Sequence, residues 1–360
     1  MTMKSIRKSL YLAVAGATLG VAAATTVQAD SLTVVSWGGA YTNSQVQAYH
    51  KPWVKQTGIK ISSEDYNGGL AQVKAQVESN NVTWDLVDVE LSDAVRGCDE
   101  GLLEEIDPSI LPPATDGTPA TKDFINGTVT DCAVGSIVWS TVYAYDSSKF
   151  PGAKPKTIAD FFNVKKFPGK RGMRKGPKPN LEYALMADGV KAEDVYSTLG
   201  TAAGVDRAFK KLDSIKSSVV WWEAGAQPPQ LLADGEVALT TAYNGRLFNA
   251  IVKEGKPFVI VWDGQVWDLD LWVIPKGSRN LENALKFIAF STDTVRNWDQ
   301  SNYISYGPVR KSAQALLDPK MAPHMPTYST NFKNAVQNDW QFWADNTDEL
   351  NERFANWLAR

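Results

Sequence analysis

Five strand-like runs in this chain end in residues able to do polar chemistry, and they combine aromatic rings with charges. "LTVVSWGGAY" ends in Trp37 and Tyr41 around Gly38 and Gly39. "WDLVDVE" ends in Glu90, and "VVWWE" in Trp222 and Glu223. "TTAYNGR" supplies Tyr243 and Arg246, and "VWDLDLW" supplies Trp267, Asp268 and Asp270. Aromatic faces attract an organic cation, and a carboxylate gives it the charge-assisted hydrogen bonds that fix its orientation. If these strand ends face one another across a cleft, they make a binding site for a small organic ion.

Each of these residues also has a structural use. A Trp before two glycines suits a tight strand-to-helix connection. Trp221 and Trp222 alternate across a strand, so one of them must face a core. Glu90, Glu223 and Asp268 are able to cap helices or pair with lysines, and Arg246 at a helix start can be solvated. Signatures of catalysis are sparse: the chain has two histidines, His50 and His324, and no HExxH, GxSxG, phosphate-loop or dinucleotide motif. Both histidines read as surface or packing residues. A secreted glycoside hydrolase would draw on Glu90, Glu223, Asp268 and Asp270 as paired carboxylates. An iron- or anion-binding protein would need clustered tyrosine, histidine or carboxylate ligands, and no tyrosine cluster shows. No cofactor and no metal is expected.

The elements that must position these residues alternate. Residues 32–37, 59–66 and 83–90 are strand-like; Val46, Tyr49 and Trp53 share one helical face, and Leu70, Val73 and Val77 mark a second helix. This β-α-β-α-β order predicts a mostly parallel sheet flanked by helices. Residues 107–130 are loop-like, and "GSIVWSTVYAYDSSKF" is a long β-rich segment. A second alternation follows: "SVVWWE", a helix near Pro228 to Ala233, "EVALTTAY", a helix from Asn244, "FVIVW" and the separate apolar run "LDLWVI" before a helix from Leu281 to Phe290. The aromatics of residues 331–360 (Phe332, Trp340, Phe342, Trp343, Phe354 and Trp357) read as the docking face of a terminal helix pair.

The first 29 residues place Lys4, Arg7 and Lys8 ahead of an apolar run ending Val27-Gln28-Ala29, the pattern of a cleaved secretory signal. Removing it takes the net charge from −3 to −6 and leaves 331 residues, enough for two lobes. A mildly acidic chain without basic runs is a poor partner for nucleic acid or an anionic membrane. Cys98 and Cys132 are the only cysteines. In an oxidising compartment they are expected to pair, closing a loop of about 34 residues worth roughly 3–4 kcal/mol in the chain-entropy model.

Together, the leader, "VVSWGGAYTN", "WDLVDVE", "FPGKRG", "GEVALTTAYNGR" and "DLDLWVIPKGSRN" resemble the periplasmic spermidine/putrescine-type solute-binding proteins of ABC importers. The resemblance covers essentially the whole chain after residue 29. It implies an α/β, two-lobe periplasmic-binding-protein fold, each lobe a mostly parallel sheet flanked by helices, with the ligand in the cleft. It places lobe one at residues 30–144 and 271–325 and lobe two at residues 145–270 and 326–360. It implies a monomer in the periplasm that delivers a small amine or amino acid to a membrane permease without catalysis. Trp37 and Tyr243 fall on cleft aromatics, and Asp270 on the carboxylate that holds a ligand ammonium, with Trp267 beside it. Glu90 and the segment Ser305 to Val309, including Tyr306, fall on cleft-lining loops. One departure stands out: where polyamine binders carry an acidic pair, this chain reads "MRKGPKPNLEYAL", with Arg174, Lys175 and Lys178, and Arg246 adds another cation. Bases in place of acids repel a diamine. The expected ligand is therefore a solute with one amine and one carboxylate, such as 4-aminobutyrate, with Asp270 or Glu90 at the amine and Arg246 at the acid.

Overall fold

The computed structural model describes residues 31–360. The leader read in residues 1–29 lies outside them. Short apolar runs become strands where burial repeats: β1 (Ser31–Ser36) sinks Leu32, Val34 and Val35 completely. It lies between β2 (Lys60–Asp65) and β3 (Leu86–Glu90), parallel to both, with Val34 opposite Leu86. Helical segments spanning residues 39–57 and 71–78 make the crossovers, as the alternation predicted.

Two long antiparallel strands organise the rest. β4 (Ala133–Asp146) is buried along its whole length. Further along the chain come β5 (Arg171–Arg174), β6 (Val219–Trp222), β7 (Leu239–Tyr243) and β8 (Phe258–Val273). β4 and β8 pair from Ala133 opposite Val273 to Asp146 opposite Phe258, with register shifts at Gly135/Ile137 and Thr141/Tyr143. The runs "FVIVW" and "LDLWVI", which read as separate in sequence, are one strand of 16 residues. Its Asp263-Gly264, a turn signal in isolation, is carried through at φ 72° in the register shift between Val261 and Val266. β3 joins β8 on one side and β7 joins β4 on the other; β5 and β6 extend the sheet beyond β7, and two short strands, β9 (Gly307–Pro308) and β10 (Val336–Gln337), pair with β4 and β8.

A single ten-stranded sheet thus runs through the molecule, in the order β2-β1-β3-β8-β4-β7-β5-β6. Two large cores form on it. One gathers β1, β3, the start of β4, the end of β8 and the helix Leu281–Ser291. The other gathers the helices Ile158–Phe162, Asn180–Ala187 and Ala202–Asp213, the far halves of β4 and β8, and the final helix. Val138 belongs to the first core and Tyr143 to the second, as do Leu269 and Val266 respectively, so the changeover falls inside the two long strands. This makes β4 and β8 the connection about which two lobes can hinge.

One local expectation changes and the others hold. Residues 331–360 hold one 19-residue helix, Trp340–Leu358, not a helix pair; Trp343, Leu350 and Phe354 are its buried face. Trp221 packs edge-on against Phe354 at 5.4 Å between centroids, so it belongs to that docking face. Cys98 and Cys132 are bonded, tying the end of the helix Leu91–Asp99 to the start of β4. His50 packs against Phe287 and His324 against Phe248.

Candidate functional site

Where the lobes meet, a smaller cluster of buried side chains forms, five aromatic and two aliphatic: Tyr41, Ile137, Trp139, Trp222, Tyr243, Ile304 and Tyr306. A small cavity opens in it, walled by Trp37, Tyr41, Glu90, Trp139, Tyr243, Arg246, Asp270 and Tyr306. Its free volume is about 20 Å³, far below the ~300–1,000 Å³ usual for drug-sized ligands.

Trp37 and Tyr41 arrive by the glycine turn. Gly38 and Gly39 both have positive φ (71° and 58°), a conformation other residues rarely take. A Cβ on Gly39 would also lie 2.8 Å from an Arg246 nitrogen. The turn thus lets the backbone of one lobe approach the guanidinium of the other. Arg246 uses that approach: its Nη1 donates to the Gly38 carbonyl and its Nη2 to the Trp37 carbonyl at 3.0 Å. Its Nε is buried without an acceptor. The guanidinium lies 5.9 Å from the Tyr41 ring centroid.

The carboxylates come from two antiparallel neighbours, β3 and β8, in which Glu90 stands directly opposite Asp270. Asp88 and Glu90 are two apart, as are Asp268 and Asp270, so each pair shares one face of its strand. The four have different partners. Asp88 accepts from the Tyr41 hydroxyl at 2.7 Å and Gln45 Nε2 at 2.5 Å. Asp268 accepts from the Leu269 N–H at 2.7 Å and from Asn338 Nδ2. Glu90 pairs with Lys178 Nζ at 2.6 Å and Arg174 at 3.6 Å, both from the opposite lobe. Asp270 accepts only from Trp139 Nε1, at 2.7 Å, and the carbonyl of its backbone accepts from Ser136.

Their acidities follow. Burial pushes Asp88 and Asp268 up to about 7. Burial would raise Glu90 as well, but Lys178 and Arg174 outweigh it and hold the carboxyl below its ordinary value. Asp270 is driven well above the usual carboxylate range, first by burial and then by Asp88, Glu90 and Asp268. Among the described residues it is a buried acid with no cation of its own.

Of the residues proposed from sequence, seven therefore wall the cavity: Trp37, Tyr41, Glu90, Tyr243, Arg246, Asp270 and Tyr306. Three do not. Trp222 is buried behind Tyr243, edge-on at 5.7 Å, as a support. Glu223 lies past the strand end in solvent, its side chain 64% exposed, and pairs with Lys175. Trp267 packs against Phe332 at 5.6 Å, on the face of β8 away from Asp268 and Asp270. Sequence reasoning passed over Trp139 and Asp88. The alternating acids of "DVE" and "DLD" were a signal for Asp88; nothing polar flags Trp139 inside its apolar run. Among the described residues no group of three His, Cys, Asp or Glu is placed to hold a metal ion.

Two lobes on one hinged sheet, with a small cavity of aromatic and charged side chains between them, define a ligand-binding protein that closes on its cargo. The chain belongs to the family of bacterial extracellular solute-binding proteins, which residues 46–327 match. It is 48% identical over 342 residues, 95% of either chain, to the gamma-aminobutyric acid-binding protein of Pseudomonas aeruginosa. Among solved structures, a GABA receptor, Atu4243, shares 36% identity at a TM-score of 0.79, covering 92% of this chain and 98% of its own. The spermidine/putrescine substrate-binding protein PotD of Streptococcus pneumoniae, at 15% identity and a TM-score of 0.67 over 91% of this chain and 99% of its own, shares the fold.

Proposed function

We propose that this protein is the periplasmic solute-binding component of an ABC importer, and that its cargo carries one ammonium and one carboxylate, in the class of 4-aminobutyrate. The observation that carries this reading is Asp270, a buried carboxylate in the cavity wall that lacks a cation. An uncompensated charge in such a place is costly, and a ligand ammonium relieves it. The aromatic walls Trp37, Tyr41, Trp139 and Tyr243 favour the same group. Arg246, whose Nε has no acceptor, takes the carboxylate end beside Tyr306. The names of the relatives agree with this class of cargo.

The work is conformational, with no bond made or broken. Asp270 and Trp139 stand on the long hinge strands, Trp37 and Tyr41 in the first lobe, Tyr243 and Arg246 in the second. A solute touching all of them stabilises the closed form, which a permease can distinguish from the open one. A hydrolase would need two carboxylates free to flank a bond. Glu90 is held by Lys178, Asp268 by Asn338, and Glu223 faces solvent.

Calorimetric titration of protein unfolded and refolded to remove carried solute tests this. 4-Aminobutyrate is expected to bind and putrescine to bind more weakly, with Arg246→Ala losing the amino acid. Tighter binding of putrescine than of any amino acid overturns it.

A further inference from the structure

The acidic face of the cleft presents two carboxylates, and the protein already supplies cations to one of them. Glu90 and Asp270 are direct partners across an antiparallel ladder and both line the cavity. Like charges in that relation repel. Among the described residues Asp270 is left without a cation, whereas Glu90 receives Lys178 Nζ at 2.6 Å, with the Arg174 guanidinium further off at 3.6 Å. The same ammonium donates to Ser92 Oγ at 2.9 Å and lies 5.5 Å from the centre of the Trp343 ring. A carboxylate, a hydroxyl and an aromatic face around one ammonium are the contacts by which a site recognises a primary amine.

Lys178 reaches this place from the second lobe, on the segment between β5 and the helix Asn180–Ala187. It enters through a solvent-facing hollow lined by Asp93, Arg96, Arg174 and Lys178. That hollow shares Trp37 and Glu90 with the cavity. Space vacated by the lysine side chain would therefore adjoin the space in which the solute sits.

We propose that Lys178 is a tethered occupant of a second ammonium site, built from Glu90, Ser92 and Trp343, and that this occupancy restricts the cleft to solutes bearing a single positive charge. The proposal rests on Asp270 holding the solute's ammonium. With Lys178 shortened, a linear diamine places one ammonium at Asp270 and the other at Glu90. With Lys178 present, the second ammonium meets another cation.

The test is calorimetric titration of refolded, solute-free wild type, Lys178→Met, Lys178→Arg and the double variant Glu90→Gln/Lys178→Met with putrescine, n-butylamine and 4-aminobutyrate. Lys178→Met is expected to bind putrescine about tenfold more tightly than wild type or better, equivalent to roughly 1.4 kcal/mol or more. n-Butylamine, with one charge, gains nothing. Lys178→Arg keeps the site filled and shows no gain, and Glu90→Gln in the Lys178→Met background removes the gain. A folded Lys178→Met protein with wild-type putrescine affinity overturns the proposal, as does a gain that survives Glu90→Gln. Should Lys178→Met fail to fold unaided, refolding with putrescine is expected to recover it where n-butylamine does not, and failure with both overturns the proposal. Failure of the wild type to bind 4-aminobutyrate would instead overturn the cargo assignment, because the putrescine comparison is read separately.

Discussion

Two buried charges, Arg310 in the first lobe and Asp270 on the hinge strand β8, show what separates structure from function here. Arg310 is fully buried and complete: Nη1 meets Asp123 at 3.1 Å, Nη2 the Pro112 carbonyl at 2.8 Å, and Nε the Thr292 carbonyl. Its guanidinium lies 4.4 Å from the Phe124 ring centre, and Asp123 accepts in addition from Ser312. Asp270 is nearly as buried, at 4% exposure, yet has one side-chain donor and no cation. A fold can hold an unpaired acid only by raising its pKa or by waiting for a partner. Buried charge that the chain completes by itself is architecture; buried charge left incomplete at a cavity wall is a binding site.

The comparison breaks most visibly at Asp123. Asp123→Ala leaves Arg310 buried without its counter-ion and is expected to cost about 3–5 kcal/mol of stability. Solute affinity, scaled to the folded fraction, should not change. Urea unfolding alongside calorimetry measures both; a loss below about 1 kcal/mol would show that the three carbonyl and ring contacts suffice without the acid.

Asp270→Asn should do the reverse. Losing one member of a buried charge pair costs about 2–5 kcal/mol of binding, so 4-aminobutyrate affinity should fall by some two orders of magnitude. The solute-free protein should melt higher than wild type, because the amide still accepts from Trp139 and no longer demands a proton or a cation. A lower melting temperature together with unchanged affinity would make Asp270 a second Arg310-type structural residue.

Acidity sharpens the contrast without any substitution. In the empty protein the pKa of Asp270 is raised, so above the usual Asp value of about 4 the folded state holds more protons than the unfolded chain. Its contribution to stability therefore falls as pH rises through the folded pKa. Glu90 runs the other way: its pKa is lowered, and the stability it adds above the usual Glu value is lost on acidification. An arriving ammonium needs Asp270 ionised, so binding expels a proton and affinity should climb with pH, by up to about tenfold per unit for one proton. Titrations between about pH 5.5 and about pH 7.5, in buffers of different ionisation enthalpy, read the proton directly. Flat affinity with no buffer dependence would mean that Asp270 is already ionised when empty.

Much of the scaffold was legible because it repeats. The β-α-β-α-β alternation gave β1 to β3 and their crossovers, and the aromatic-plus-acid strand ends pointed to the cleft. Hydrophobic period locates a strand but not which of its faces meets the other lobe. Trp139 shows why: register shifts at Gly135/Ile137 and Thr141/Tyr143 reset the alternation along β4, so its orientation cannot be counted out from either end. Glu90 was recognisable as a cleft acid, but its partner Lys178 lies 88 positions further along the chain and on the other lobe. Long-range pairing of that kind leaves no local pattern.

Glu223 carries the smallest expected effect and the clearest test of position against composition. In sequence it matches Glu90: an acid closing an apolar strand of its sheet. In space it stands 64% exposed, bonded to a Lys175 that is itself 49% exposed. Solvent-exposed pairs of this kind contribute about 0–1 kcal/mol. Glu223→Ala should thus shift the melting temperature little and leave solute affinity within about twofold of wild type. Glu90→Ala, by contrast, strands Lys178 beside the cavity with its ammonium uncompensated. The same residue type at equivalent strand ends then differs in cost because one end closes against the opposite lobe and the other opens to water. If Glu223→Ala weakened binding as strongly as a cavity residue, the closed cleft would have to reach past Trp222, and the cavity drawn around Asp270 would be too small.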